Sequence, residues 1–309
     1  MVKAKERKRP RVSTLPLHLM LLPGVIIVFI YNYLPMFGVL MAFQKFDFTK
    51  GISAFWLSPW VGLDNYRRLL KTGEAINIVR NTFVISGLKI VVGFAVPIIV
   101  ALLLNEVSKA FFKRGIQTIV YIPHFISWVI FASIIQQIFS VDGFINSQIL
   151  SLFHMRPINF LADNRYFVPM LVATDIWKGF GYGTIVYLAA ITSIDPSLYE
   201  AASIDGANRL RQTWHVTLPG MRPIIVLTMV LTLQNVLNAG FDQIFNLYNA
   251  QVYQTADIID TWVYRMTFRT ATPQYSLGMA VGLFKSAVST FFISVSYWLA
   301  YRFANYQIF

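Results

Sequence analysis

Six long apolar blocks constrain this chain more than anything else in its sequence. They cover about residues 17–43, 82–104, 116–139, 167–191, 224–245 and 277–303. A helix of about 20 mainly apolar residues crosses the hydrocarbon core of a bilayer. No water there relieves an unpaired backbone group, so a spanning segment must close its hydrogen bonds internally. The blocks come whole, not as alternating apolar and polar residues, which favours helices over strands. Only 13% of the residues are charged against 56% hydrophobic, whereas a soluble chain carries about 25% charged residues. The expected fold is therefore all-α, a polytopic membrane protein with six transmembrane helices and one domain over 1–309.

The net charge of +12 does not imply nucleic acid, because the basic residues stand in short tracts between apolar blocks. That is the pattern of loops facing cytoplasm and anionic lipid. The basic run Lys3–Arg11 precedes an apolar stretch longer than a signal peptide's core, which reads as a retained first span. With both termini cytoplasmic, 13 basic residues, Arg302 included, lie inside and 10 outside. The compact Lys109/Lys113/Arg114 loop supports the same orientation in a cell membrane. The absence of cysteine excludes disulfides and thiolate chemistry.

Ionisable residues at membrane depth face a cavity or a partner, and Lys89, Asp175, Lys178 and Lys285 are in that position. Asp175 and Lys178, at i and i+3, share a helix face and can pair with each other. Gln234, Asn235, Asn238, Asp242 and Gln243 crowd the second half of the fifth block, which turns that helix away from lipid. Gly179, Gly181 and Gly183 alternate in the fourth block and favour close helix packing or a bend. No Walker A loop, no His-Glu-x-x-His pair and no G-x-S-x-G elbow is present. The reading therefore assigns no catalytic or metal-binding residue, no cofactor and no enzymatic activity, and any energy for transport must come from another subunit.

Residues 195–219 form a self-contained block between two spans. Asp195 is a good N-cap and Pro196 suits the first helical position. Gly206 is placed to end the helix with a left-handed residue, and Asn208 to cap a second helix through about Trp214. Leu218-Pro219 is expected to stop that helix before the fifth span. Two short helices with small residues between them suit docking into a groove on another protein.

Glu200-Ala201-Ala202, Asp205-Gly206-Ala207 and the downstream Leu218-Pro219 resemble the EAA motif of binding-protein-dependent ABC importer permeases. Trp214 departs from the phenylalanine common there. The segments Trp60-Val61-Gly62-Leu63-Asp64-Asn65-Tyr66, Tyr121-Ile122-Pro123-His124 and Ile176-Trp177-Lys178-Gly179 look like the sugar-importer branch, near permeases for alginate, aldouronate and related acidic oligosaccharides. The resemblance implies a type I importer transmembrane domain in which residues 195–219 form the coupling helix, with Glu200 anchoring a cleft on an ATPase. It implies a second homologous permease, two ATPase subunits that use ATP and magnesium, and an external solute-binding protein. On this reading Trp177, Lys178, Tyr182, Asn235, Asn238 and Lys285 line the path of an oligosaccharide, expected to be uronate-containing. A neutral sugar is the alternative cargo. An ion-coupled secondary transporter would make no use of an ATPase-docking block, and a membrane enzyme would need a catalytic constellation that the sequence does not offer.

Overall fold

The computed structural model describes residues 14–71 and 73–304, so the basic run Lys3–Arg11 lies outside the described residues. The helices in chain order are α1 (Leu15–Val28), α2 (Ala54–Leu57), α3 (Asp64–Lys71), α4 (Gly73–Asn105), α5 (Ala110–Phe125), α6 (Trp128–Phe139), α7 (Asn164–Thr192), α8 (Pro196–Ile204), α9 (Arg209–Gln212), α10 (Leu218–Leu233), α11 (Phe241–Leu247), α12 (Tyr253–Ala256), α13 (Ile259–Phe268) and α14 (Tyr275–Ala304). Among the described residues the only extended pairing is an isolated bridge between Gln44 and Trp60.

Four helical stretches are long and apolar enough to cross a membrane: Leu15–Phe43, Gly73–Asn105, Arg209–Leu233 and Tyr275–Trp298. A fifth is the pair α5 and α6, bent by 105° where a single third span was expected. The sixth segment, α7, has 29 residues, which at about 1.5 Å per residue exceeds the bilayer core. It falls outside the apolar set, and its buried residues include the polar Thr174, Lys178 and Thr184 beside Phe167 and Leu171. It is the central helix, packed on α4, α5 and α10.

The first span passes through Pro23, widens in a π-helical turn at Phe29–Tyr33 and then tightens into a 3-10 helix over Leu34–Phe43. Asn65 then donates from Nδ2 to the Ala42 and Gln44 carbonyls at 2.9 and 3.1 Å, which ties α3 to the end of that span. Trp60, largely exposed, stacks on Phe43 at 5.6 Å between centroids. This anchoring suits an interfacial segment.

The bend between α5 and α6 has a local cause. Ile126 and Ser127 are extended, and Ser127 starts α6 by accepting the Ile130 N–H at 3.4 Å. A helix that ends within the membrane strands carbonyls. Lys178 on α7 reaches across and donates to the Pro123 and His124 carbonyls at 3.2 and 2.7 Å. A cation at a helix C-terminus also meets the favourable end of the dipole.

The alternating glycines have different jobs. At Gly181 a Cβ would lie 2.0 Å from the Val120 carbonyl oxygen, so α5 and α7 touch backbone to backbone there. At Gly183 it would stand 3.2 Å from Pro97 on α4, and at Gly179 it would meet open space. Small residues at such crossings permit the close approach on which packing in lipid depends. Gly181→Val should therefore lower the thermal midpoint of the purified protein by several degrees, the effect of about 1–3 kcal/mol of overpacking. Gly179→Ala should leave it within a degree or so. Equal midpoints in the two variants would remove the α5–α7 contact as the reason for Gly181.

Candidate functional site

The 195–219 block folds as its capping residues direct. The Asp195 carboxylate accepts the Ser197 N–H at 2.9 Å, with Pro196 at the first helical position. That backbone hydrogen bond holds the Asp195 carboxyl below its ordinary 3.8. The cap is complete at neutral pH and is lost as pH falls through the lowered value. At the other end Gly206 has φ of 78°. Its N–H reaches the Ser203 carbonyl at 3.1 Å, and the Ala207 N–H reaches Ala202 at 2.9 Å. This pair of bonds is a Schellman closure. Asn208 caps α9 by accepting the Arg211 N–H at 2.9 Å.

Three side-chain ties make the block rigid. Gln212 donates to Ser203 Oγ at 2.9 Å and to the Ala207 carbonyl at 3.2 Å. The Tyr199 and Thr217 hydroxyls meet at 3.0 Å. Arg209 pairs with Glu106, at the foot of α4, at 2.7 Å. Glu200 and Ala201 are exposed and Ala202 is half-buried. Ile204 is 87% exposed and Trp214 63%, which leaves large apolar side chains on a surface built to hold its shape.

Leu218-Pro219 does not stop the second helix. Arg209–Leu233 is continuous, passing through a π-helical turn at Thr213–Thr217 just before Pro219. Proline cannot donate an N–H. A local π turn absorbs that loss without ending the rod.

The rod ends instead at Leu233, where the sequence reading had the fifth span continuing to Phe245. Residues 234–240 are unwound, and Gly240 takes φ of 90° before α11 begins. Non-helical backbone at membrane depth persists only where protein or a water-filled cavity serves it. The protein contribution centres on Lys89. Its Nζ donates to the Ala239 carbonyl at 2.8 Å, to Asp175 at 3.1 Å and to Gln243 Oε1. Those three partners use all three protons of the ammonium. Ser86, one turn earlier on α4, donates to the Val236 carbonyl. Gln243 in turn donates to the Leu171 carbonyl at 2.8 Å and to Thr174 Oγ1 at 2.9 Å on α7. Gly240 has a φ that favours glycine, and a Cβ there would stand 2.7 Å from Lys89 Nζ and push the ammonium off its partners.

Asp175 thus pairs with Lys89 on α4, not with its neighbour Lys178. Lys178 is committed to the α5 carbonyls and lies 5.4 Å from the Trp128 ring centre, with no carboxylate within ion-pair distance among the described residues. Lys285 is balanced by Asp260 through both carboxylate oxygens at 2.7 Å. Trp177 and Tyr182 remain about half exposed, the first against Phe131 and the second stacked on His124 at 4.1 Å. Asn235 and Asn238 are exposed along the unwound stretch.

The structure thus brings together α4, α7 and the broken fifth span, with Lys89 at the centre. The sequence placed Lys89 in the membrane but offered no partner for it. Gly240 at the end of an amide-rich run was the available signal. Lys89→Met should lower stability by about 3–5 kcal/mol, because Asp175 and the Ala239 carbonyl lose their donor together. Adding Asp175→Leu to Lys89→Met should restore part of the loss. Thermal unfolding of both variants checks this, and an additive, still lower midpoint in the double variant would count against the clamp.

Known proteins match this architecture along nearly its whole length. The profile of the family described as binding-protein-dependent transport system inner membrane component matches residues 93–305. The polygalacturonan/rhamnogalacturonan transport system permease protein YteP of Bacillus subtilis (strain 168) is 40% identical over 310 residues, covering 99% of this chain and 95% of YteP. Protein LplB of the same organism is 43% identical over 294 residues, 95% of this chain and 91% of LplB. The crystal structure of a bacterial ABC transporter involved in the import of the acidic polysaccharide alginate superposes with a TM-score of 0.86 at 36% identity, covering 94% of this chain and 96% of that one. With the span pattern and the capped block already in place, these matches show that the chain belongs to the family of binding-protein-dependent transport system inner membrane components, as the non-enzymatic permease of an ABC importer whose ATPase is a separate subunit.

Proposed function

We propose that this permease imports acidic, uronate-containing oligosaccharide by alternating access, beside a second, homologous permease, two ATPase subunits and an external solute-binding protein. Both termini and the 195–219 block face the cytoplasm in this reading. The observation that carries it is full-length similarity to permeases whose named cargoes are two uronate polymers, polygalacturonan and alginate. A crystal structure of the alginate transporter in complex with an alginate pentasaccharide-bound periplasmic protein, similar to this chain at a TM-score of 0.84, supports delivery by such a protein.

The site offers matching chemistry. Trp177 and Tyr182 present ring surface for pyranose faces, and Asn235 and Asn238 present amides along unwound backbone. Secondary transporters build substrate sites at unwound stretches between helices, and residues 234–240 offer backbone of the same kind. Lys178 supplies positive charge with no carboxylate at ion-pair distance among the described residues, Asp175 being engaged by Lys89. Lys285 is left out of the path because Asp260 balances its charge.

In proteoliposomes holding the whole importer, vanadate-sensitive uptake of trigalacturonate should exceed that of maltotriose at least tenfold. Lys178→Ala should reduce the trigalacturonate rate more than the maltotriose rate, whereas an equal fall in both would leave Lys178 only its tie to the Pro123 and His124 carbonyls. Equal uptake of the two probes would remove the acidic reading and leave the neutral-sugar alternative.

The docking role of Glu200, Ala201, Ala202, Asp205, Gly206, Leu218 and Pro219 is testable separately. Gly206→Pro fixes φ near −65° where the chain needs 78°, and it deletes the N–H that reaches Ser203. Glu200→Arg reverses an exposed charge on the block. Both variants should abolish uptake and the stimulation of ATP hydrolysis while the protein still inserts and purifies. If uptake and stimulation both persist, the block does not dock the ATPase.

A further inference from the structure

The segment following the broken span carries a cluster that the pathway residues above do not include. Phe241 and Phe245 on α11 stack at 5.2 Å, Tyr264 on α13 meets Phe245 edge-on at 4.9 Å, and Phe268 lies 5.4 Å from Tyr264. The Arg269 guanidinium is centred 5.4 Å from the Phe245 ring and 5.8 Å from that of Tyr264. Arg269 is exposed and has no ion-pair partner among the described residues. Asp242, exposed one turn before Phe245, lies beyond ion-pair distance. Arg265, one turn earlier, is already engaged by Asp257 at 2.6 Å and by the Tyr253 ring at 4.4 Å.

The position is informative. The foot of α4 meets the 195–219 block through Glu106 and Arg209. Its opposite end, at Ala75 and Ile78, packs with Ile259 and Trp262 of α13. The cluster therefore stands at the end of the protein away from that block, directly after the unwound stretch bearing Asn238.

We propose that Arg269, with Phe245, Tyr264 and Phe268, forms an outer subsite for a uronate unit, the guanidinium taking the carboxylate and the exposed Phe268 ring the pyranose face. The Arg269 guanidinium lies beside the two rings without a carboxylate partner among the described residues, so its N–H groups are available for charge-assisted bonds to a carboxylate. Phe268 is 67% exposed and supplies the stacking surface. This inference rests on the acidic-cargo reading above.

The test uses the complete importer in proteoliposomes, with trigalacturonate and maltotriose as probes and the binding protein titrated. Arg269→Ala should cut the maximal trigalacturonate rate at least about tenfold, the effect of losing its charge-assisted contact with the carboxylate. The concentration of loaded binding protein giving half the rate should not change. Arg269→Lys should restore part of the rate, and Phe268→Ala should lower it with Arg269 intact. An unchanged maximal rate in Arg269→Ala overturns the subsite. So does a rise in the half-saturating binding-protein concentration alone, which would make Arg269 a docking residue. An equal fall for both probes with a lowered thermal midpoint also overturns it, by making Arg269 an interfacial anchor. Wild-type protein that carries no trigalacturonate at all fails the acidic-cargo reading itself, which separates the two failures.

Discussion

The ammonium of Lys89 has three protons and three acceptors, one on each of α7, the unwound stretch and α11. Within a bilayer each of these acceptors would otherwise be stranded, at a cost of several kcal/mol per group. The break after Leu233 is stable because a neighbouring helix supplies what the missing helical turns would have supplied. Lys178 does the same at the other break, where α5 ends at the bend. Two lysines that resemble liabilities in a hydropathy profile are therefore what permits the fifth span and the α5–α6 pair to depart from straight helices.

This division of labour explains why α7 is the most polar of the long helices and also the central one. It carries Asp175 and Lys178 toward the two breaks, accepts Gln243 on its Leu171 carbonyl, and lets α5 approach at Gly181. Between lipid-exposed helices, apolar burial provides little drive, and packing and hydrogen bonds decide association. The large buried cluster of Ile85, Phe131, Phe167, Leu171 and Ile244 sits around the same crossing, so the packing and the polar network reinforce each other.

Much of this was legible in the sequence, for local reasons. The capped block could be read residue by residue, because Asp195, Pro196, Gly206 and Asn208 act on backbone within a few positions of themselves. The spans were legible wherever an apolar block and a straight helix coincide. The bend at Ile126–Ser127 lies inside an apolar block long enough for one span; Pro123, His124 and Ser127 marked the place, but a proline within a long membrane helix can equally be a mild kink. The break after Leu233 was half visible: the amides signalled a polar environment, but an amide-rich helix and an unwound strand of the same composition look alike. The pairing of Lys89 with Asp175, separated by 86 residues, depends on which helices become neighbours, and spacing along one helix pointed to Lys178 instead.

The helix from Arg209 to Leu233 has no break along 25 residues, about 37 Å at the usual rise. One end is pinned to the foot of α4 by Arg209 and Glu106, and the other opens into the stretch gripped by Lys89. A strut of that kind can yield only at the π turn and at Pro223, where the ladder lacks an N–H. Tilting the tip at the 195–219 block must swing the tip at Leu233, so that block and the unwound stretch within the membrane are mechanically geared through a single piece of backbone.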